Sequence, residues 1–448
     1  MYSRRLTRRD SPFSGAMRRH SVRIVGVLFA AWSSAALVGC DDGGEPEVIV
    51  LRMANWGSPA VESSFMAMER AFFKTFEQRY AQSHGVRVRV QVEQIPGVGQ
   101  YAPKLVMMHV AGCAPDVITL DASSAAVFVD NGVLLDLAPQ IARDRTFDAS
   151  LYFENTFDVA RRGSAVYAVP LDFTPMVIYY NKRLFDEAGV AYPREGWTWD
   201  DFLATCKALT VHADGSSRPA RYGFAFENEM PWWAPWFWTN GSDVLDPQGG
   251  RATGYLDSPA AVETVQFLAD LVLKHHVAPT PAERNALGAD PFLAEKAAMD
   301  LKGHWMLLDY RARELEVGVV GLPTRTGQSV TVFYESGLGI SADSPRRELA
   351  WEFIKFMTSE EVQKRRVASG VAISAHRKVA DFYAGDPVED AFLAAVGSAR
   401  PPWGARVERY PACEDFGREM MDDVLYRRVS VPDAVRETAK LMDAVLAQ

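Results

Sequence analysis

Cysteine is scarce in this chain, with four in 448 residues. Cys113, Cys206 and Cys413 follow Cys40 at spacings that match no metal-ligand motif, so no metal site is expected and no cofactor is implied. Excess positive charge is also missing. The formal net charge is −9, which argues against a nucleic-acid binder, because that class carries a basic face or stripe. No apolar run reaches the roughly 20 residues that a membrane-spanning helix needs. The common catalytic signatures are absent as well. There is no G-x-x-x-x-G-K-[ST] phosphate loop, no H-E-x-x-H, no G-x-S-x-G and no EF-hand loop. His275-His276 is the one histidine pair, and adjacent helical residues point about 100° apart, which is poor for joint ligation. No repeat of 20–50 residues is found, so solenoids and propellers are disfavoured.

What remains is a globular composition, 48% hydrophobic and 23% charged, long enough that two domains are the default. The charge is uneven. Residues 1–39 carry seven arginines against one aspartate, +6, so the rest sums to −15. A basic n-region followed by the uncharged run Ile24 to Val38 reads as a secretory signal, with Met17 as an alternative start. Leu37-Val38-Gly39-Cys40 resembles a bacterial lipobox, which implies cleavage after residue 39 and a lipid on Cys40. Residues 40–47 are polar and turn-rich, as suits a tether. The expected product is an otherwise soluble protein held on the cell membrane by its lipid, facing the periplasm or cell exterior.

Beyond the tether the pattern is α/β. Val48 to Ala54 reads as a strand ending at the loop Asn55-Trp56-Gly57-Ser58-Pro59, and Phe65, Met68, Phe72, Phe76 and Tyr80 recur at helical spacing. Val86, Val88, Val90 and Val92 alternate with polar residues as a half-exposed strand. Pro103 to Ala111 predicts a helix and Asp116 to Leu120 a strand ending at Asp121. Short turns between strands and helices predict a mostly parallel sheet, whose ligands sit beyond the carboxyl ends of strands. Asn55, Trp56 and Asp121 therefore fall at the ligand edge. Further on, Ala165 to Pro170 and Met176 to Tyr180 are strand-like. Thr198 with Asp201 predicts a capping box, as does Thr358 with Glu361. Ser258-Pro259 and Ser344-Pro345 each predict an N-cap followed by proline at the first helical position. Cys206 reads as a small buried residue of a helix.

Aromatic density is the positive signal. Trp232, Trp233, Trp236 and Trp238 fall within seven residues, beside two prolines that predict a loop or a broken helix start. Such rings form either a small core or a stacking surface for the flat C–H faces of sugars. Asp121, Asp172 and Glu335 supply acids that could line a binding site, or serve as the carboxylate pair of a glycan hydrolase.

The ordered motifs resemble those of the extracellular solute-binding proteins (family 1) of ABC transporters, the group that includes maltose-binding protein. The resemblance runs from about residue 48 to the C-terminus. It rests on Ala111-Gly112-Cys113-Ala114-Pro115-Asp116-Val117, then Gly132 to Leu137, Ala168-Val169-Pro170, Tyr179-Tyr180-Asn181-Lys182 and Phe185 to Gly189. Trp197 to Phe202, Phe292 to Met299, Gly303-His304-Trp305, Gly337 to Ile340 and Ala350 to Ile354 complete the order, with Glu295 where the family usually has glycine. The resemblance implies a two-lobed periplasmic-binding-protein type II fold, with the ligand cleft between discontinuous lobes. One lobe would hold 48–172 and 338–375, the other 173–337 and 376–448, with crossings near Asp172–Phe173, Tyr334–Gly337 and Ser374–His376. It also implies ligand contacts at Asn55, Trp56, Asp121, Asp172, Phe173, Trp305, Tyr334, Glu335 and Trp403, to which the cluster adds Trp232, Trp233 and Trp236. The function implied is that of a receptor, not an enzyme, passing a sugar or oligosaccharide to permease subunits driven by a separate ATPase. A polyamine or glycerol-phosphate receptor is the alternative.

Overall fold

A computed structural model describes residues 48–448 apart from 57–63, 97, 213–217, 289, 371 and 381–384. The expected signal segment 1–39, Met17, the lipidation site Cys40 and the tether 40–47 lie outside the described residues. No helix among those described is long and apolar enough to cross a membrane.

Three strands begin the first sheet: β1 (Ile49–Trp56), β2 (Val88–Ile95) and β3 (Val117–Asp121). β1 lies between the other two and is parallel to both. β2 is the outer strand, and its alternation shows it: Val88 is buried while Arg89 and Gln91 are exposed. The helix Ser64–His84 crosses between β1 and β2 and buries Phe72, Phe73 and Phe76, the last two against Phe353. β4 (Arg161–Arg162) and β5 (Ala165–Val166) form a small hairpin. Then β6 (Val169–Pro175) joins the first sheet, and after Met176 the chain passes directly into β7 (Val177–Asn181) of a second sheet.

That second sheet has the order β11-β7-β10-β9-β8, from β8 (Val211–His212), β9 (Pro219–Phe224), β10 (Ala297–Lys302) and β11 (Val317–Val320). The chain then returns through the ten-residue β12 (Thr331–Ile340), which inserts between β3 and β6 and is antiparallel to both. Close packing there requires glycine: a Cβ at Gly339 would stand 2.8 Å from both Leu134 and the Tyr167 carbonyl. β13 (Ile373–Ser374) pairs with β6 at the edge, and β14 (Ala399–Arg400) pairs with the start of β12.

The first sheet is thus mixed rather than mostly parallel, because β12 enters it from the opposite direction after the excursion into the second sheet. The second is also mixed, with only β9 and β10 parallel. Each sheet has its own apolar core. Leu51, Phe76, Leu105, Ile118, Leu338 and Ile354 belong to one. Ile178, Phe202, Trp236, Met299, Met421 and Val435 belong to the other, which the C-terminal helices Tyr410–Leu425 and Val431–Leu446 help to build.

Local signals were mostly kept. Thr198 and Asp201 form the complete capping box of the helix Trp199–Leu209, on which Cys206 is buried. Ser258 caps the helix Pro259–Leu273. Two caps differ. Ser344 hydrogen-bonds the Asp116 carboxylate at 2.7 Å, and the helix begins at Arg347, two residues later than its proline suggests. Ser359, not Thr358, caps Glu360–Ala368, accepting from the Val362 N–H, while the Thr358 hydroxyl donates back to the Ile354 carbonyl. The tryptophan-rich segment is a helix, Met230–Thr239, with Pro235 inside it. The N–H that Pro235 lacks would have met the Pro231 carbonyl. The Tyr334 hydroxyl donates to that carbonyl instead, at 3.4 Å.

Candidate functional site

A cavity of about 1210 Å³ opens where the two sheets' elements meet. One wall comes from the carboxyl ends of β1 and β3, the Ser123–Ser124 turn, β6 and β12. The other comes from the start of the tryptophan-rich helix, the turn at Trp305 and the first turns of the helix Tyr410–Leu425.

The first wall is braced from behind. Tyr101, 2% exposed, donates its hydroxyl to the Thr119 carbonyl at 2.8 Å and stacks edge-on against Trp56. Asp121 caps the turn that follows β3, accepting from the Ser123 backbone N–H at 2.8 Å and from the Ser123 hydroxyl. Burial raises its carboxyl above the usual aspartate value. Deeper in, Arg366 bridges two carboxylates, Glu69 at 2.6 Å and Asp172 at 2.5 Å. Burial pushes Glu69 up even against the attraction of that guanidinium. Burial opposes the charge on Arg366, yet Asp172 and Glu69 hold its pKa above the ordinary arginine value.

The second wall carries rings. β10 ends at Gly303, and the turn His304–Met306 is fixed by the His304 N–H donating to Thr174 Oγ1 at 2.7 Å and by a His304–Glu389 contact of 2.7 Å. Trp305 is thereby held out, 37% exposed, with its ring over Gly303 and edge-on to Tyr334 at 6.4 Å. Trp232 faces the same space, and Lys302 lies 5.2 Å from its ring centre. Glu414 comes from the helix Tyr410–Leu425. Burial, with Asp121, Asp415 and Glu229 nearby, pushes its carboxyl up to about 8. Burial and the Glu414 and Asp121 charges likewise hold Tyr334 well above the usual phenol value.

Of the residues expected at a site, Asn55, Trp56, Asp121, Asp172, Trp232, Trp305 and Tyr334 line this cavity. Five do not, and the reasons are geometric. Adjacent strand residues point to opposite faces, so Tyr334 and Ser336 of β12 face the cavity while Glu335 between them turns away. Glu335 is 1% exposed with neither carboxylate oxygen hydrogen-bonded, and burial followed by the Asp172 and Asp121 charges pushes its pKa well up. Phe173 turns away from the cavity beside Asp172 and packs edge-on against Phe153. Trp233 and Trp236 are core residues, each 1% exposed, the latter with Phe202 at 5.2 Å. Trp403 is 5% exposed, donates to Asp243 at 2.8 Å and is covered by Arg406 at 4.1 Å.

Glu69, Arg366 and Glu414 were not foreseen, yet each carries a readable signal. Glu69 sits three and four residues before Phe72 and Phe73, on the apolar stripe of its helix. Arg366 follows the buried Val362 by four, and Glu414 follows the buried Tyr410 by four. A charge on a buried stripe implies a partner or a function. Among the described residues no group of three or more His, Cys, Asp or Glu side chains is arranged to hold a metal ion.

Residues 62–364 match the family of bacterial extracellular solute-binding proteins, and the chain belongs to that family. The Multiple sugar-binding protein of Streptococcus mutans is 25% identical over 233 residues, covering 48% of this chain and 51% of that one. A binding protein of Brucella abortus is 23% identical over 292 residues, covering 62% of this chain and 68% of its own. Among solved structures, an ABC substrate-binding protein of Listeria monocytogenes in complex with cycloalternan superposes with a TM-score of 0.78 at 24% identity, covering 90% of this chain and 100% of that one. Maltose-bound MalE3 of T. maritima superposes with a TM-score of 0.73 at 24% identity, covering 89% and 100%. The fold is the two-lobed one of these solute-binding proteins.

Proposed function

We propose that this chain is the substrate receptor of an ABC importer for a sugar or oligosaccharide, held at the membrane through a lipid on Cys40. The observation that carries the reading is the cavity itself. It sets Trp56, Trp232, Trp305 and Tyr334, whose faces suit sugar C–H surfaces, among the polar groups of Thr119, Asp121, Asp172 and Ser336. The sugar-binding names of the relatives support the same class. We assign one lobe to 48–172 and 338–375 and the other to 173–337 and 376–448, with β6 and β12 carrying the chain between them.

Binding then works by population shift. A ligand that touches both walls only when the lobes approach stabilises the closed form by that difference in affinity. The closed form docks on permease subunits, and a separate ATPase supplies the energy. The test is a thermal-shift screen of the purified protein against mono- and oligosaccharides. Ligand at about 100 times its Kd adds roughly 2.7 kcal/mol of stability. A rise in Tm with one glycan series, abolished by Trp305→Ala and with the glycan recovered uncleaved, supports the receptor reading. Cleavage of the glycan, or a rise with non-sugar solutes alone, refutes it.

A further inference from the structure

The cavity's charge is lopsided in a way that a neutral sugar does not explain. Among the described lining residues, Glu69, Asp121, Asp172, Glu229, Asp309, Glu408, Glu414 and Asp415 are acidic. The basic residues of the lining are Arg366 and Arg409. Arg366 is shared between Glu69 and Asp172, which leaves that trio with one excess negative charge. Arg409 is exposed. No hydrogen bond or ion pair to the side chains of Glu229, Asp309 or Glu414 is found among the described residues.

Two further observations point to a missing donor rather than to a solvated acidic face. Glu69 is 2% exposed, and its second carboxylate oxygen is buried without a hydrogen-bond partner. Thr119, 4% exposed, also has an unpartnered hydroxyl. It lies two residues before Asp121 on β3, so both side chains face the cavity. Leaving such groups unmet is costly, and a ligand bearing N–H donors and positive charge would satisfy both.

Resting on the sugar-receptor reading, we propose that the saccharide carries a protonated amino group, received between Asp121 of the first lobe and Glu414 of the second. These two acids stand on opposite walls of the one cavity, and the Asp121 charge adds to the cost of ionising Glu414. Without a cation, burial and the Asp121 charge keep the Glu414 carboxyl raised to about 8 and so largely protonated at neutral pH. With an ammonium between the two acids both contacts become attractive, and their charges draw the lobes together. The site therefore selects against acidic and phosphorylated sugars by repulsion, and for amino sugars by a contact made fully only on closure.

The experiment is calorimetric titration of the purified full chain with matched sets of hexoses and their oligosaccharides: amino, N-acetylated and neutral forms of each, with spermidine alongside. The amino form should bind at least tenfold more tightly than its N-acetylated and neutral counterparts. That advantage should shrink as sodium chloride is raised, and Glu414→Gln and Asp121→Asn should each reduce it. If neutral or N-acetylated forms bind as tightly as the amino form, the charge proposal falls while the sugar receptor stands. If spermidine binds and no saccharide does, the sugar reading falls and this proposal with it.

Discussion

Replacing Arg366 with methionine tests the electrostatic logic of the cavity floor. The guanidinium is 3% exposed and holds Glu69 at 2.6 Å and Asp172 at 2.5 Å. Methionine keeps most of the apolar stem but strands two carboxylates. Removing one partner of a buried ion pair costs about 3–5 kcal/mol, because the charge left behind is uncompensated. At roughly 2–4 °C per kcal/mol for lobes of this size, Tm should fall by about 6–20 °C at pH 7. The pH dependence fixes the cause. Burial already holds Glu69 above its ordinary value of 4.5 with the arginine present, and removing the cation pushes it higher. An acid raised in the fold is stabilising only while protonated, and it costs stability as pH climbs from its unfolded value through its folded one. The deficit of the variant should therefore be smaller at pH 5 than at pH 7. Adding Glu69→Gln should recover part of it, since neighbouring residues couple. Thermal unfolding by circular dichroism at the two pH values reads all three effects. A loss below about 1 kcal/mol at pH 7, or one equal at both pH values, would refute the reasoning.

Three other outcomes are expected. Gly303→Ala should weaken glycan binding by about 0.5–1.5 kcal/mol in calorimetry, with little change in Tm, because the new Cβ collides with the half-exposed Trp305 ring and swings it off its stacking position. Glu414→Gln should raise stability to urea at pH 7 and add nothing below about pH 4.5, where folded and unfolded chains are both protonated. The sign follows from a carboxyl raised to about 8 in the fold, which makes the parent chain lose stability as pH rises between those values. Gly404→Ala should lower both Tm and affinity, since its Cβ would strike the Ser123 backbone carbonyl, a group that cannot swing away, and displace the turn capped by Asp121.

Local structure was legible where one element sets its own pattern. The alternation of Val88, Arg89, Val90 and Gln91 states which face of β2 is covered, and the spacing of Phe72 and Phe76 states which face of the first helix is. The caps at Thr198 and Ser258 follow from hydroxyls that serve the next turn. The pattern failed where a distant group intervened. Ser344 accepts from the backbone N–H of Arg346 while its hydroxyl donates to Asp116, 228 residues away in sequence, and the helix starts only at Arg347. Pro235 sits inside a helix because Tyr334, on another strand, satisfies the carbonyl it leaves open. The antiparallel entry of β12 has no local signature at all.

The site divides along the same line. Chain position alone nominates both members of Asp172–Phe173 and of Tyr334–Glu335, but the pleat admits only one of each to a given face. Trp233 and Trp236 look like stacking surface by composition, and the second core claims both. The acids that matter most are the ones a search for rings passes over. Aromatic stacking adds about 0.5–1.5 kcal/mol beyond burial for any hexose with a flat apolar face, so on the proposed reading Trp56, Trp232 and Trp305 would favour sugars as a class and separate them poorly from one another. A hydrogen bond to a charged group contributes about 1.5–3 kcal/mol, and an unmet buried one costs as much. On the proposed reading, discrimination among sugars therefore rests on Asp121, Glu414 and the Glu69–Arg366–Asp172 bridge. Glu69 and Arg366, 297 residues apart in sequence, meet only in the folded chain.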